Sequence, residues 1–92
     1  MMTNFEVIKR FCEHKKGKNE NLKTDGSKLI NYTTCIAEWR NGVLYFNETK
    51  YSVSTSKIQS LCRCEFASKR LQYVSVEGVW MGEKNLTFFV KK

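Results

Sequence analysis

The sequence predicts an α+β fold in which two hairpins form an antiparallel sheet and two helices pack on one of its faces, in the order α-ββ-α-ββ. Three observations predict it: helical spacing of apolar residues near the N-terminus and again after residue 56, an Asn-Gly turn between two strand-like runs, and alternation near the C-terminus. The 92 residues, 41% of them hydrophobic, suffice for one small domain spanning residues 1–92.

The first helix is predicted to begin at a capping box, in which Thr3 and Glu6 satisfy each other's backbone amides. Its apolar side comprises Phe5, Val7, Ile8, Phe11 and Cys12, and the stripe of Phe5, Ile8 and Cys12 is expected to lie on the sheet. Gly17 is the expected stop. The stretch from Lys18 to Lys28 has few apolar residues and an Asp25-Gly26 turn signal, so it is predicted to be an exposed, lysine-rich loop.

The first hairpin is predicted from Leu29–Arg40 and Val43–Asn47, joined by Asn41-Gly42. Asn-Gly favours a type I′ turn, which places Arg40 opposite Val43. Alternation then predicts one core face and one solvated face. The core face comprises Cys35, Ala37, Trp39, Leu44 and Phe46, and the solvated face comprises Glu38, Arg40 and Tyr45.

The second helix is predicted to start near Ser56, where Ser56 and Gln59 form a second capping box. Ile58, Leu61 and Cys62 form its buried stripe, but Glu65 falls at the centre of that stripe and weakens the pattern beyond Cys64. Leu71–Glu77 and Leu86–Val90 predict a closing hairpin with a turn around Gly82–Asn85.

The net charge of +7 predicts affinity for phosphate backbones, anionic lipids or acidic proteins, although a solvated surface that maintains solubility explains it as well. The excess has two weak maxima, +3 over residues 1–28 and +4 over residues 50–70. No apolar run is long enough to span a membrane and no signal-peptide pattern begins the chain, so a cytoplasmic location is expected.

The four cysteines, Cys12, Cys35, Cys62 and Cys64, are expected to be free structural thiols, with two disulfides or a metal site as alternatives. A metal site is disfavoured because Cys62-Arg63-Cys64 is spaced too tightly and His14 is the one histidine. That single histidine and the lack of nucleotide-binding or hydrolytic motifs also argue against an enzyme. No cofactor is implied.

The candidate site is the hydroxyl-rich run before the second helix, where backbone amides and lysines favour an anion. Ordinary capping with solvated lysines is the alternative. The candidate anion- or nucleic-acid-binding residues are Lys50, Tyr51, Ser54, Thr55, Ser56, Lys57, Arg63, Lys69 and Arg70. Tyr45, Tyr51 and Tyr73 are candidate stacking surfaces for bases.

Two segments, Tyr32–Ala37 and Asn47–Gln59, resemble a pattern in small uncharacterised proteins encoded by bacteriophages and related mobile elements. The resemblance implies an origin, and hence a bacterial host cytoplasm, more than a mechanism. Such short domains often bind nucleic acid or inhibit host defence. The leading expectation is therefore a non-enzymatic binder of nucleic acid or of a host nucleoprotein, as monomer or homodimer and without a membrane partner.

Two alternatives remain open. The first is an anti-CRISPR-like inhibitor of a host defence protein that acts by stoichiometric protein–protein binding. Its anchor would be an exposed apolar patch that includes Trp80 and Met81 near the last hairpin. The second is a structural component of the virion.

Overall fold

The computed structural model describes residues 2–32, 34–49 and 52–76, together with the backbone of residues 77, 80–81, 85–86 and 89–90. The described part of the chain forms two helices and nine strands. In chain order they are α1 (Asn4–Cys12), β1 (Gly17–Lys18), β2 (Leu22–Thr24), β3 (Lys28–Asn31), β4 (Thr34–Arg40), β5 (Val43–Asn47), α2 (Val53–Ser68), β6 (Tyr73–Glu77), β7 (Trp80–Met81), β8 (Asn85–Leu86) and β9 (Phe89–Val90). The mixed α and β composition predicted from the sequence is confirmed.

The strands form one seven-stranded mixed sheet and one two-stranded ribbon. The sheet has the order β1-β2-β3-β4-β5-β6-β9, and β7 pairs with β8 in the ribbon. Both helices contribute to the main core, which packs against one face of the sheet, here called the helix face. The buried residues of this core are Val7, Ile8, Phe11, Cys12, Leu22, Leu29, Ile36, Ala37, Leu44, Phe46, Ile58, Cys62 and Phe66.

Helix α1 begins at the predicted capping box, since the Thr3 hydroxyl accepts from the Glu6 amide and the Glu6 carboxylate accepts from the Thr3 amide, both at 3.1 Å. It ends at Cys12, earlier than the predicted stop at Gly17, which instead begins β1. The prediction that Phe5 is core was wrong, because Phe5 is 49% exposed. At 100° per residue Phe5 falls on the rim of the buried arc that Val7, Ile8, Phe11 and Cys12 define.

The predicted loop from Lys18 to Lys28 instead contains strand β2 and its neighbouring turns, with the end of β1 at Lys18 and the start of β3 at Lys28. Leu22 and Thr24 are buried while Lys23 between them is exposed, which is the alternation of a half-buried strand. Three residues are too few for that pattern to stand out from the lysines around it. The predicted Asp25-Gly26 turn is present, and Gly26 adopts the left-handed φ of 99°.

The hairpin of β4 and β5 is confirmed in register, with Arg40 opposite Val43 and positive φ at both Asn41 (50°) and Gly42 (78°). The placement of Cys35 on the helix face was wrong. Opposite β4, Leu29 pairs with Ala37 but Ile30 pairs with Cys35, so one extra residue of β4 forms a β-bulge. The bulge turns Cys35 to the other face of the sheet, where it packs with Ile30 and Val76.

That other face, here called the second face, was predicted to be solvated and is partly buried. Glu38 is 7% exposed, and Tyr45 is half-buried against the cluster of Ile30, Cys35 and Val76. Strand β7 contacts β4. Because both edges of β4 are already paired with β3 and β5, β7 approaches it from a face of the sheet.

Helix α2 begins at Val53 and not near Ser56, because Ser52 is the N-cap whose hydroxyl accepts from the Thr55 amide at 3.3 Å. Gln59 does not take part in a capping box, since its amide donates to the carbonyls of Asn47 (2.8 Å) and Thr49 (3.0 Å). The helix also continues through Glu65 to Ser68. Burial of Glu65 is offset by Lys69, whose Nζ lies 3.7 Å from the carboxylate.

The closing strands differ most from the prediction of two antiparallel hairpins. Strand β6 pairs parallel with β5, so β5, α2 and β6 form a β-α-β unit. Strand β9 pairs antiparallel with β6, but Leu86 belongs to β8 and pairs with Trp80. Residues 82–84 of the predicted turn lie outside the described residues, as do the side chains of Trp80 and Met81. In the described part of the chain no helix has the length and apolarity to cross a membrane.

Candidate functional site

The N-terminus of α2 holds only part of the site predicted from the sequence. Lys50 and Tyr51 lie outside the described residues. Ser54, Ser56 and Lys57 are exposed in the first turns of the helix. Thr55 is buried at 6% exposure, and its hydroxyl donates to Asn31 Oδ1 at 2.9 Å and lies 3.2 Å from the Ser52 hydroxyl. Thr55 therefore ties the helix to β3 and does not face a ligand.

The remaining predicted cations do not join Lys57. Arg63 is held by the Glu48 carboxylate, with Nη2 at 3.1 Å, and stacks over the Phe46 ring at 5.4 Å. Lys69 lies between the Glu65 and Glu13 carboxylates at 3.7 and 3.8 Å. Arg70 is exposed beyond the end of the helix, with φ of 56°. Lys57 lies in α2 and Lys69 is its C-cap twelve residues later, so about 18 Å along the helix axis separates their backbones. The predicted cations thus occupy separate places.

A small pocket of about 190 Å³ lies beside Ser54 and Lys57. Its polar wall is occupied with internal contacts, because Asn31 donates to the Asn21 carbonyl at 2.9 Å and the Tyr32 hydroxyl donates to Asn21 Oδ1 at 2.8 Å. These contacts close the turn between β3 and β4 onto the β1–β2 connection. Asn31 and Tyr32 are therefore already bonded within the chain, while Ser54 and Lys57 stay exposed at the pocket.

A larger groove of about 690 Å³ lies at the β1 end of the sheet. Here it is called the lysine groove, and it is lined by Lys16, Gly17, Lys18, Lys23, Thr24, Asp25, Lys28 and Ile30. Four of these eight residues are lysines. The groove coincides with the first of the two charge maxima in the sequence and not with the second, where the site was predicted.

Strand register explains why these lysines share one surface. Lys18 pairs with Lys23, Lys23 pairs with Ile30, and Ile30 belongs to the cluster of the second face. Cross-strand partners project to the same face, so Lys18 and Lys23 project to the second face. Lys28 lies two residues from Ile30 and therefore projects there too. Ile30, at 6% exposure, forms the apolar floor between them.

The described lining of the groove carries four lysines and one acidic residue. Lys16 and Lys18 are exposed, and neither forms an ion pair within the described part of the chain. Lys18 and Lys23 stand directly opposite each other, and like charges in that position repel. Asp25 is the acidic lining residue. Partial burial alone would raise the pKa of its carboxyl, but the backbone amides of Lys28 and Ser27 donate to it and hold its pKa below the ordinary value.

Groups suited to nucleophilic or metal chemistry are buried or dispersed. Burial raises the pKa of the Cys12 and Cys35 thiols to about 12, and burial also raises that of Cys62, so these thiols stay protonated at neutral pH. All four cysteines are unbridged, and Cys64 is exposed. His14 packs on the Trp39 ring with the centroids 4.4 Å apart. Among the described residues, no three side chains of metal-ligand type lie together.

The sequence analysis identified the lysine-rich stretch from Lys18 to Lys28, but not that its lysines share one face of the sheet. The signal that could have found it is the alternation of Leu22, Lys23 and Thr24, which places the lysine opposite the core side. The pairing of that short strand with both β1 and β3 then aligns lysines from three strands. Comparison with protein-family models, with curated proteins and with solved structures finds no match to this chain.

Proposed function

We propose that this protein is a non-enzymatic binding protein that holds nucleic acid, bare or within a nucleoprotein, by its phosphate backbone along the lysine groove. The observation that supports the proposal is the placement of Lys18, Lys23 and Lys28 on one face of three adjacent strands, with Lys16 also lining the groove. Phosphate contacts from lysines supply most of the affinity of such proteins and release condensed counterions.

A second role for surface lysines is to prevent a sheet edge from pairing with another chain. That role accounts for Lys18, because β1 is an edge strand of the sheet. It does not account for Lys23 or Lys28, since β2 and β3 are each paired on both sides. Their positions therefore favour a binding surface.

The resemblance noted in the sequence supports a setting for this activity. A protein of bacteriophage or mobile-element origin would act in the cytoplasm of a bacterial host, where nucleic acids and nucleoprotein defence complexes are the abundant polyanions. The overall charge of +7 agrees with binding to such polyanions and opposes mimicry of them.

The proposal is tested by recovering the tagged protein from bacterial lysate with and without nuclease, at two salt concentrations. We expect nucleic acid to be retained at low salt and lost after nuclease treatment or at moderate salt. The Lys18→Gln/Lys23→Gln variant should retain much less, whereas Lys57→Gln, which removes an exposed lysine elsewhere, should behave as the unchanged protein. One protein retained through both treatments, equally by all three, would instead indicate a stoichiometric inhibitor.

A further inference from the structure

We infer that the small pocket beside α2 is a second binding site, separate from the lysine groove, which takes the phosphate group of a small phosphate monoester. The pocket has a volume of about 190 Å³ and is bordered by both helices and by the turn after β3. Hydrogen-bond donors come from five of its lining side chains, which are Asn4, Asn21, Asn31, Ser54 and Lys57.

The side-chain oxygens of the three lining asparagines are each engaged by a donor within the chain. The bonds run from Asn19 Nδ2 to Asn4 Oδ1 at 2.8 Å, from the Tyr32 hydroxyl to Asn21 Oδ1 at 2.8 Å and from the Thr55 hydroxyl to Asn31 Oδ1 at 2.9 Å. Since the oxygens are used internally, each amide can offer a ligand only its nitrogen, which is a donor.

The amide nitrogens keep hydrogens that the described part of the chain does not use. Nδ2 of Asn4 and Nδ2 of Asn21 have no acceptor there, and Asn31 Nδ2 places one of its two hydrogens on the Asn21 carbonyl at 2.9 Å. Asn31 is only 1% exposed, so its second hydrogen is shielded from bulk water. A buried donor without an acceptor is costly, and an acceptor group in the pocket would relieve that cost.

The charge around the pocket favours an anion. Lys57 is exposed at its edge and forms no ion pair with any described residue, and the described lining contains no acidic side chain. A carboxylate brings two acceptor oxygens, whereas a phosphate monoester brings three and nearly two negative charges at neutral pH. Five donor side chains therefore suit a phosphate group better than a carboxylate.

The size and position of the pocket separate it from the lysine groove. Its volume is below the ~300 Å³ at which pockets for drug-sized ligands begin, so the rest of the ligand is small. Asn31 and Ile30 are consecutive in β3 and project to opposite faces of the sheet, and Ile30 lines the lysine groove. A phosphodiester within nucleic acid has two free oxygens and a sugar on each side, so the lysine groove remains the site proposed for nucleic acid.

The test is a two-dimensional NMR titration of the ¹⁵N-labelled protein with glycerol 3-phosphate, and with acetate at equal ionic strength. We expect saturating shift changes at the side-chain amide signals of Asn4, Asn21 and Asn31 and at the backbone amide of Ser54. Acetate should bind about tenfold more weakly, because it forms fewer hydrogen bonds to a charged group. Lys57→Gln should weaken glycerol 3-phosphate binding about tenfold for the same reason.

Asn4→Asp is the sharpest variant, because it keeps the oxygen that accepts from Asn19 and replaces the amide nitrogen with a negative oxygen. Glycerol 3-phosphate binding should fall about 100-fold through the lost donor and the added repulsion. The melting temperature should not fall, since an acidic residue in the first turn of α1 suits the helix N-terminus. Asn41→Asp is the matched control, because it makes the same charge change at an exposed turn that accepts Asp-Gly equally well.

Three results would overturn the inference. Equal losses in Asn4→Asp and Asn41→Asp would show that overall charge governs binding and not the pocket. Acetate binding as tightly as glycerol 3-phosphate would rule out the choice of a phosphate group. Loss of glycerol 3-phosphate binding in Lys18→Gln/Lys23→Gln would assign the phosphate to the lysine groove. We expect that double variant to bind glycerol 3-phosphate normally and to lose nucleic acid, so the pocket and the proposed function can fail independently.

Discussion

Asn47 shows how one buried amide holds the irregular part of the sheet together. It is completely buried, its Nδ2 donates to the Cys35 carbonyl at 3.0 Å, and its Oδ1 accepts from the Thr49 amide at 3.0 Å. The first bond satisfies a carbonyl beside the β-bulge, where regular strand pairing is interrupted. A buried polar group without a partner is costly, so this amide stabilises the bulge that sends Cys35 to the second face.

We therefore expect Asn47→Ala to lower the free energy of unfolding by about 2 kcal/mol, because it leaves the Cys35 carbonyl and the Thr49 amide without that partner. Urea denaturation at neutral pH measures the loss. Gln72→Ala removes an exposed amide and is the control, with an expected change within about 0.5 kcal/mol. Equal stability of the two variants would show that the amide does not support the bulge.

Asp25 is the residue at which charge in the lysine groove can be changed with least disturbance. Because the pKa of its carboxyl lies below the ordinary value, Asp25 is ionised at neutral pH. Its negative charge offsets part of the positive charge of the lysines around it. Asp25→Asn keeps an oxygen that can accept from the Ser27 and Lys28 amides while it removes the charge. We expect the variant to bind a DNA duplex about threefold more tightly at low salt, measured by anisotropy.

The same titration in high salt is the internal control, since screening should reduce the difference between Asp25→Asn and the unchanged protein. Weaker binding by the variant at low salt would mean that Asp25 contacts the ligand, and not that its negative charge repels the phosphates.

At the scale of the element, the turn between β2 and β3 fixes the shape of the groove. Gly26 has a φ of 99°, and a Cβ added there would lie 2.9 Å from the His14 carbonyl oxygen. The tight approach packs this turn against the end of α1, and so positions β2 and β3 relative to the first helix. A glycine is required here both by conformation and by space.

We expect Gly26→Ala to cost about 2 kcal/mol of unfolding free energy and to weaken duplex binding, because the turn must move away from a backbone atom that cannot yield. Gly42→Ala is the matched control: its φ of 78° is also left-handed, but nothing lies within 4 Å of the added Cβ. It should cost about 1 kcal/mol and leave binding unchanged. Urea denaturation and anisotropy of both variants provide the comparison, and equal losses would refute the close packing.

Local chemistry made some elements predictable. The Thr3–Glu6 capping box and the Asn41-Gly42 turn are each specified by neighbouring residues, and both are present. The bulge that inverts Cys35 and the parallel pairing of β5 with β6 depend on residues distant in the chain. The predicted start of α2 was wrong because several hydroxyl residues could serve as its N-cap. The contacts of Thr55 and Gln59 with other strands determine which of them does.

At the scale of the whole molecule, the two faces of the sheet differ in how far they are covered. The helix face is closed by α1 and α2, while the second face is buried around Ile30, Cys35 and Val76 and opens toward β1 as the lysine groove. The basic composition predicted an anion-binding surface but could not say which cations share a face, because the ion pairs of Arg63 and Lys69 and the placement of lysines from three short strands on one face depend on the fold.

The most direct test of the lysine groove as the binding surface is a two-dimensional amide NMR titration of the ¹⁵N-labelled protein with a short DNA duplex at low salt. We expect the largest shift changes at Lys16–Lys18, Lys23–Lys28 and Ile30, with small changes at Ser54 and Lys57. Changes centred on the first turn of α2, with residues 16–30 unaffected, would contradict the lysine groove and return the site to the N-terminus of the second helix.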